Sequence, residues 1–293
     1  MSATTDTAAP PRARRLPNWL RHSGLVAGGI IVLVILAMAL LAPLLAPYDP
    51  YDQNLLARIV PPVWHEGGSW DHPLGTDHLG RDYLSRLLYG ARISLFIGLA
   101  VAFVSGIIGT VLGVTAGYFG GRVDMVISFL ITARLALPVI LVALAIVALF
   151  GSSMTVVVSV LGLLLWDRFA LVMRATTQQI RDADFVTAAR VQGASNLQIL
   201  LSEILPNVAT NFTVVATLEI AQAIVLEAAL SFLGLGVPPP LPSWGLMLAE
   251  GKSFILFDPW LITLPGLLLF ALVLAINLVG DGLRDVTAPD SRN

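Results

Sequence analysis

The sequence predicts an all-α integral membrane protein with six transmembrane helices. Composition is the first reason: 56% of the 293 residues are hydrophobic, 12% are charged, and the mean hydropathy is +0.83. A soluble domain of this length carries far more charge. The second reason is six stretches apolar and long enough to cross a bilayer, which takes about 20 residues at a rise of about 1.5 Å each. The third is a polar stretch, Asp182 to Asn207, set between two of these spans.

The first span is placed at Leu25–Leu45. Its apolar run exceeds the roughly 7–15 residues of a signal-peptide core, so it reads as a retained anchor despite the Arg14-Arg15 pair before it. The second, Ile93–Ala116, leads into a stripe of Gly109, Gly113 and Gly117, a small-xxx-small surface that suits either static packing or sliding of helices. The third, Val126–Leu149, contains Pro138, and the sixth, Trp260–Val279, contains Pro265; each proline removes a backbone donor and favours a kink. The fourth, Met154–Met173, is interrupted by Asp167 and Arg168, and the fifth, Val208–Phe232, carries Glu219 and Glu227.

Arginine placement orients these spans. Arg12, Arg14, Arg15 and Arg21 precede the first span with no nearby acid, which puts the N-terminus in the cytoplasm. Six crossings return the C-terminus to the same side. The loop after the fourth span, with Arg174, Arg181 and Arg190, is then also cytoplasmic. The Ala46–Arg92 loop faces outside, its arginines offset by Asp49, Asp52, Glu66, Asp71, Asp77 and Asp82.

The polar stretch reads DADFVTAARVQGASNLQILLSEILPN. Asp182 or Asp184 can cap a short helix, Ala188 and Ala189 give it a narrow face next to Arg190, and Gly193 permits the turn that ends it. Leu205 and Pro206 then open the next apolar run. This pattern resembles the EAA loop of type I ABC-importer permeases, with Thr187 standing where the family often has glutamate. HPLGTDHLGRDYLSRLLYGARISL (His72–Leu95), LEAALSFLGLGVPPPLPSWG (Leu226–Gly245) and NLVGDGLRD (Asn277–Asp285) are similar to the C-type permease of dipeptide and oligopeptide importers.

The resemblance implies a type I ABC importer permease bundle with a cytoplasmic coupling helix, in a bacterial cell membrane. It divides the chain into a tail (1–23), a first helix plus extracytoplasmic loop (24–91), a permease domain (92–283) and a second tail (284–293). It implies as partners a second permease subunit, two ATP-binding subunits and an extracytoplasmic substrate-binding protein, within the lipid bilayer. The coupling loop would comprise Asp184, Ala188, Ala189, Arg190, Gly193, Leu205 and Pro206. Nickel-importing permeases share this architecture, and His65, His72 and His78 keep that alternative open.

Other classes find no support. A net charge of −2 offers no dense basic face for nucleic acid, and the absence of cysteine excludes disulfides, zinc ribbons and thiol catalysis. Gly251-Lys252-Ser253 ends like a phosphate loop, but Gly245 is one residue too far upstream. The three histidines lack metal-ligand spacing, so no metal or cofactor is expected. No catalytic constellation is present, and neither a stand-alone channel nor a membrane enzyme accounts for a docking loop.

Ionisable residues inside spans are costly and seldom lack partners. Arg134, Glu219 and Asp167 fall at similar depths, which predicts an Arg134–Glu219 ion pair, with Asp167 as the alternative partner. Glu227, near Ser231 and the Gly234-Leu235-Gly236 break, is either a contact for a cationic substrate group or an anchor for that turn. These four residues are the candidates for the path or its gate.

Overall fold

Residues 23–287 are described by a computed structural model. Arg12, Arg14, Arg15 and Arg21, on which the orientation rests, lie outside the described residues. The helices, in chain order, are α1 (Ser23–Leu40), α2 (Ala42–Leu45), α3 (Tyr83–Phe119), α4 (Gly121–Leu135), α5 (Val139–Phe150) and α6 (Met154–Leu164). They continue as α7 (Asp167–Ile180), α8 (Asp184–Val191), α9 (Asn196–Ile199), α10 (Leu205–Phe232), α11 (Trp244–Gly251) and α12 (Trp260–Thr287). Among the described residues there is no strand beyond one isolated bridge, Thr76 to Asp82.

Helix α3 is the axis of the bundle. Its 37 residues make about 55 Å of helix, well beyond a hydrocarbon layer of about 30 Å. Asp82 starts it, accepting from the Ser85 N–H at 2.7 Å, and Gly120 ends it at φ +64°. Along its length it contributes to four successive buried clusters: Tyr83, Leu87 and Leu95; Ile97 and Val101; Ala116; Val114 and Tyr118. Outward-facing Phe103, Leu149, Phe150 and Phe270 stay exposed, as side chains turned to lipid do.

Three of the six expected spans are interrupted, each for a backbone reason, and the sixth stays continuous through its proline. The third is two helices, α4 and α5, bent by 83°. Pro138 caps α5 and pushes Leu137 away from helical geometry, so the predicted kink is a full break. The fourth is broken at Leu165-Trp166 and runs on to Ile180. The fifth begins at Asn196, earlier than Val208, because α9 joins α10 through a π turn at Leu200–Ile204. There the Leu205 N–H reaches back five residues to the Leu200 carbonyl. The wider turn accommodates Pro206, whose ring would clash with the preceding turn of an α-helix. The sixth continues through Pro265, which cannot donate to the Leu261 carbonyl; the Tyr83 hydroxyl donates to that oxygen instead.

The glycine stripe faces α7. A Cβ at Gly109 would sit 2.4 Å from the Trp166 carbonyl oxygen, at Gly113 2.4 Å from that of Ala170, and at Gly117 2.7 Å from that of Arg174. Successive turns of α7 thus lie against successive glycines of α3, so the stripe is a packing surface. Gly28 does the same for α1, where a Cβ would lie 2.7 Å from the Ala275 carbonyl of α12.

Gly113→Val should therefore force α3 and α7 apart and destabilise the bundle by about 1–3 kcal/mol or more. Gly29→Ala, where an added Cβ meets nothing within 4 Å, should stay within about 0.5 kcal/mol of the parent. Thermal unfolding of the two variants in detergent compares them directly.

Candidate functional site

The polar stretch folds as a helix held from one side. Val186 of α8 is fully buried in a cluster with Val114, Tyr118, Met173, Ile199 and Ile204, and Ala189 packs against it. The Arg190 guanidinium lies 5.4 Å over the Tyr118 ring and donates to the Arg181 carbonyl at 3.2 Å. Gly193 ends the helix at φ +84°, its N–H bonded to the Arg190 carbonyl and that of Ala194 to the Ala189 carbonyl, both at 3.0 Å. A Cβ at Gly193 would meet nothing within 4 Å, so glycine is required there for its backbone alone.

Capping differs from the sequence reading. Ala183 is the N-cap and offers no side chain. Asp184 sits in the first turn, where its charge meets the helix dipole, while Asp182 pairs with Arg181 at 3.1 Å and with Arg190 at 4.0 Å. The opposite face of α8 is open: Phe185, Ala188 and Val191 are exposed, continued by Leu197 and Leu201. Leu205 and Pro206 are the first two residues of α10.

The expected Arg134–Glu219 pair is not formed, nor an Arg134–Asp167 pair. Arg134 donates to the Leu164 carbonyl, the last residue of α6. The break at Leu165-Trp166 leaves carbonyls of α6 without helical donors, and a guanidinium satisfies both the orphan oxygen and the negative end of the helix dipole. Glu219, 1% exposed, pairs instead with Arg168 at 3.3 Å. Asp167 is buried at the first turn of α7, where the dipole favours an acid. Depth along the sequence placed these residues at one level, but the azimuth of each helix chose the partners.

Glu227 is fully buried, with the Ser231 hydroxyl donating at 2.8 Å and the Ser243 hydroxyl at 2.9 Å. Both serines also accept: Ser231 from the Val237 N–H at 3.3 Å, and Ser243 from the Leu246 N–H at 3.0 Å as N-cap of α11. Glu227 thus ties the end of α10 to the turn and to α11, the geometry of an anchor.

One cluster was missed in the sequence. Asp77 accepts from Arg81 at 2.6 Å and from Arg86, while Glu250 of α11 accepts from Arg86 at 2.7 Å and from Arg81 at 3.2 Å. Both arginines are buried. Burial raises the Asp77 carboxyl, but Arg86 and Arg81 outweigh it and hold the group below the usual carboxylate range. The Asp77–Arg81 spacing was visible in the sequence; Glu250, far along the chain, gave no signal. The histidines do not gather: His72 bonds Asp82 at 2.9 Å, the His65 ring lies 5.2 Å from Trp260, and that of His78 stacks on Phe254 at 6.0 Å.

Comparison with known proteins agrees with this architecture. Residues 109–293 match the family described as binding-protein-dependent transport system inner membrane component, and residues 16–62 match the N-terminal TM domain of oligopeptide transport permease C. The dipeptide transport system permease protein DppC of Haemophilus influenzae is 40% identical over 99% of this chain and 99% of its own. The di/tripeptide transport system permease protein DppC of Pseudomonas aeruginosa is 43% identical, covering 94% of this chain and 91% of that one. Among solved structures, a chain of the MetNI methionine ABC transporter in an inward-facing conformation superposes with a TM-score of 0.57 at 18% identity, covering 69% of this chain and 96% of that one.

Two expectations follow from the buried groups. Glu227→Gln keeps an oxygen for both serine hydroxyls and should unfold close to the parent, whereas Glu227→Ala strands them and should cost about 1–3 kcal/mol; thermal denaturation separates the two. Asp77 has a depressed folded pKa, so its contribution is complete above the ordinary value of about 4 and is lost as pH falls through the folded value. Asp77→Asn should cost about 3–5 kcal/mol at neutral pH, because two buried arginines lose a shared anion, and the difference from the parent should narrow in acid below about pH 4.

Proposed function

Because this chain belongs to the family of binding-protein-dependent transport system inner membrane components, we propose that it is the C-type permease of a peptide importer, coupled to ATP hydrolysis through α8. It is a translocation component of an ATP-binding-cassette importer, and such importers work with ATPase and substrate-binding partners. In the finer reading, it pairs with a second permease, two ATP-binding subunits dock at the α8 end, and an extracytoplasmic binding protein delivers substrate at the α11 end. Both termini are cytoplasmic and the bundle spans a bacterial inner membrane.

The observation that carries the coupling role is the two-sided character of α8. Val186 fixes one side to α3, α7 and α10, while Phe185, Ala188, Val191, Leu197 and Leu201 leave an apolar face exposed on the other. A rigidly mounted helix with an unpartnered face can pass a displacement of its socket into the bundle. Asp184, Ala188, Ala189, Arg190, Gly193, Leu205 and Pro206 contribute by shaping, bracing or terminating this segment.

Peptide is favoured as substrate because similar chains along nearly the whole length are described as dipeptide and di/tripeptide permeases. The nickel alternative rested on three histidines, each of which has a separate partner. His78 does lie near Asp77 and Glu250, but both carboxylates are engaged by Arg81 and Arg86. Identifying what the cognate binding protein holds tests this reading, and a bound metal without peptide would overturn it.

Gly193→Val should leave the transmembrane bundle folded but misdirect the exit from α8, because a β-branched residue resists positive φ. Transport and substrate-stimulated ATP hydrolysis should fall together, with Gly193→Asn less affected since asparagine tolerates this conformation better. Normal transport by the valine variant would remove the coupling assignment.

A further inference from the structure

Arg168 is the fourth charged residue of the mid-span group, and its surroundings differ from those of the other three. Arg134, Asp167 and Glu219 are all at most 9% exposed, whereas the Arg168 side chain is 54% exposed. Its Nη1 is held by Glu219 Oε1 at 3.3 Å, and Glu219 stands about 11 residues, about 16 Å of helix, beyond Val208 at the start of the fifth apolar run. Tied to a buried carboxylate, the guanidinium is held at the level of Glu219 and does not extend toward an interface, and facing lipid there is strongly unfavourable. The open surface in front of Arg168 is therefore polar or water-filled in the assembled transporter.

The backbone nearby points the same way. The break at Leu165-Trp166 lies just before Arg168, and Arg134, which stands near the end of α4 before the 83° bend, bridges to the Leu164 carbonyl at that break. Two spans are thus interrupted at one level, and irregular backbone at membrane depth is tolerated where protein buries it or where it lines a cavity. Among the described residues Arg168 makes one ion pair, through Nη1 to Glu219 Oε1 at 3.3 Å, which leaves Nε and Nη2 for a further acceptor. That edge of the guanidinium matches a carboxylate in bidentate geometry.

We propose that Arg168 lines the translocation path and binds the C-terminal carboxylate of the passing peptide, with Glu219 holding the guanidinium in place. The inference rests on the peptide-permease reading and adds to it the face of this chain that meets substrate and the end of the substrate it meets. Arg168 was noted in the sequence as an interruption of a span; which way it faced became visible only in the fold.

The chain has no cysteine, so Arg168→Cys introduces a unique thiol; made together with Glu219→Gln, it leaves no unmatched buried carboxylate. In the complete transporter in proteoliposomes, this thiol should react with a membrane-impermeant methanethiosulfonate, and dialanine supplied with its binding protein should slow the reaction. No labelling would place Arg168 against the second permease or another buried surface and overturn the proposal. In the second arm, Arg168→Gln/Glu219→Gln is compared with Glu219→Gln alone for transport of dialanine and of dialanine amide, each relative to the parent transporter. Loss of one charge-assisted pair should lower dialanine transport about tenfold, leave the amide nearly unaffected, and be partly restored by Arg168→Lys. Equal effects on both peptides, or none, would remove the carboxylate contact. If the parent transporter moves neither peptide, the peptide-permease reading itself fails, an outcome distinct from failure at Arg168.

Discussion

A helix interrupted inside a hydrocarbon layer leaves backbone carbonyls that water cannot reach, and each must find a donor within the protein. This fold depends on meeting that requirement at several interruptions. Where α6 ends, Arg134 of α4 donates to the Leu164 carbonyl. Where Pro265 withholds its donor from Leu261, the Tyr83 hydroxyl of α3 takes its place. Before Pro206, in the polar stretch set between two spans and so outside that layer, the chain widens into a π turn and the Leu205 N–H reaches the Leu200 carbonyl. Two of these solutions also fasten one element to another, so satisfying the backbone and packing the bundle are the same act.

Close approach of α3 and α7 is the second constraint. Carbonyl oxygens of Trp166, Ala170 and Arg174 sit where a Cβ on Gly109, Gly113 or Gly117 would otherwise lie. Such proximity lets dispersion act between backbones where no hydrophobic effect drives helices together. The same contact sets the azimuth of α7 and so aims Asp167 inward, leaves Arg168 half exposed and brings it to Glu219 of α10. The charge arrangement at mid-depth is therefore a consequence of the glycine stripe as much as of the charges.

The two ends of the bundle are tied down differently. At the α11 end, the Asp77–Arg81–Arg86–Glu250 group and the Glu227–Ser231–Ser243 group join loop, turn and helix with buried polar contacts. Such contacts have directional requirements and break as units. At the α8 end, apolar packing through Val186 carries the attachment, and α8, α9 and the π turn lead directly into α10. Through these elements α8 is continuous with the helix that holds Glu219 and Glu227.

The sequence by itself determined the class, the apolar runs of bilayer length, and the short polar-stretch helix with its terminating glycine. Those features are local or compositional: apolar runs of bilayer length, proline positions, and a glycine where a helix must stop. It also marked Pro138 and Pro265 as points of interruption, without showing that one breaks its span and the other does not. Only the tertiary structure decided which charges meet. Arg134 was assigned to Glu219 from depth alone, yet depth fixes one coordinate of a side chain, and rotation of each helix about its axis fixes the other. That rotation is set by contacts between residues far apart in the chain, Gly113 against Ala170 and Arg86 against Glu250 among them. No spacing along the sequence encodes them, so pairing and exposure became legible only once the helices were packed.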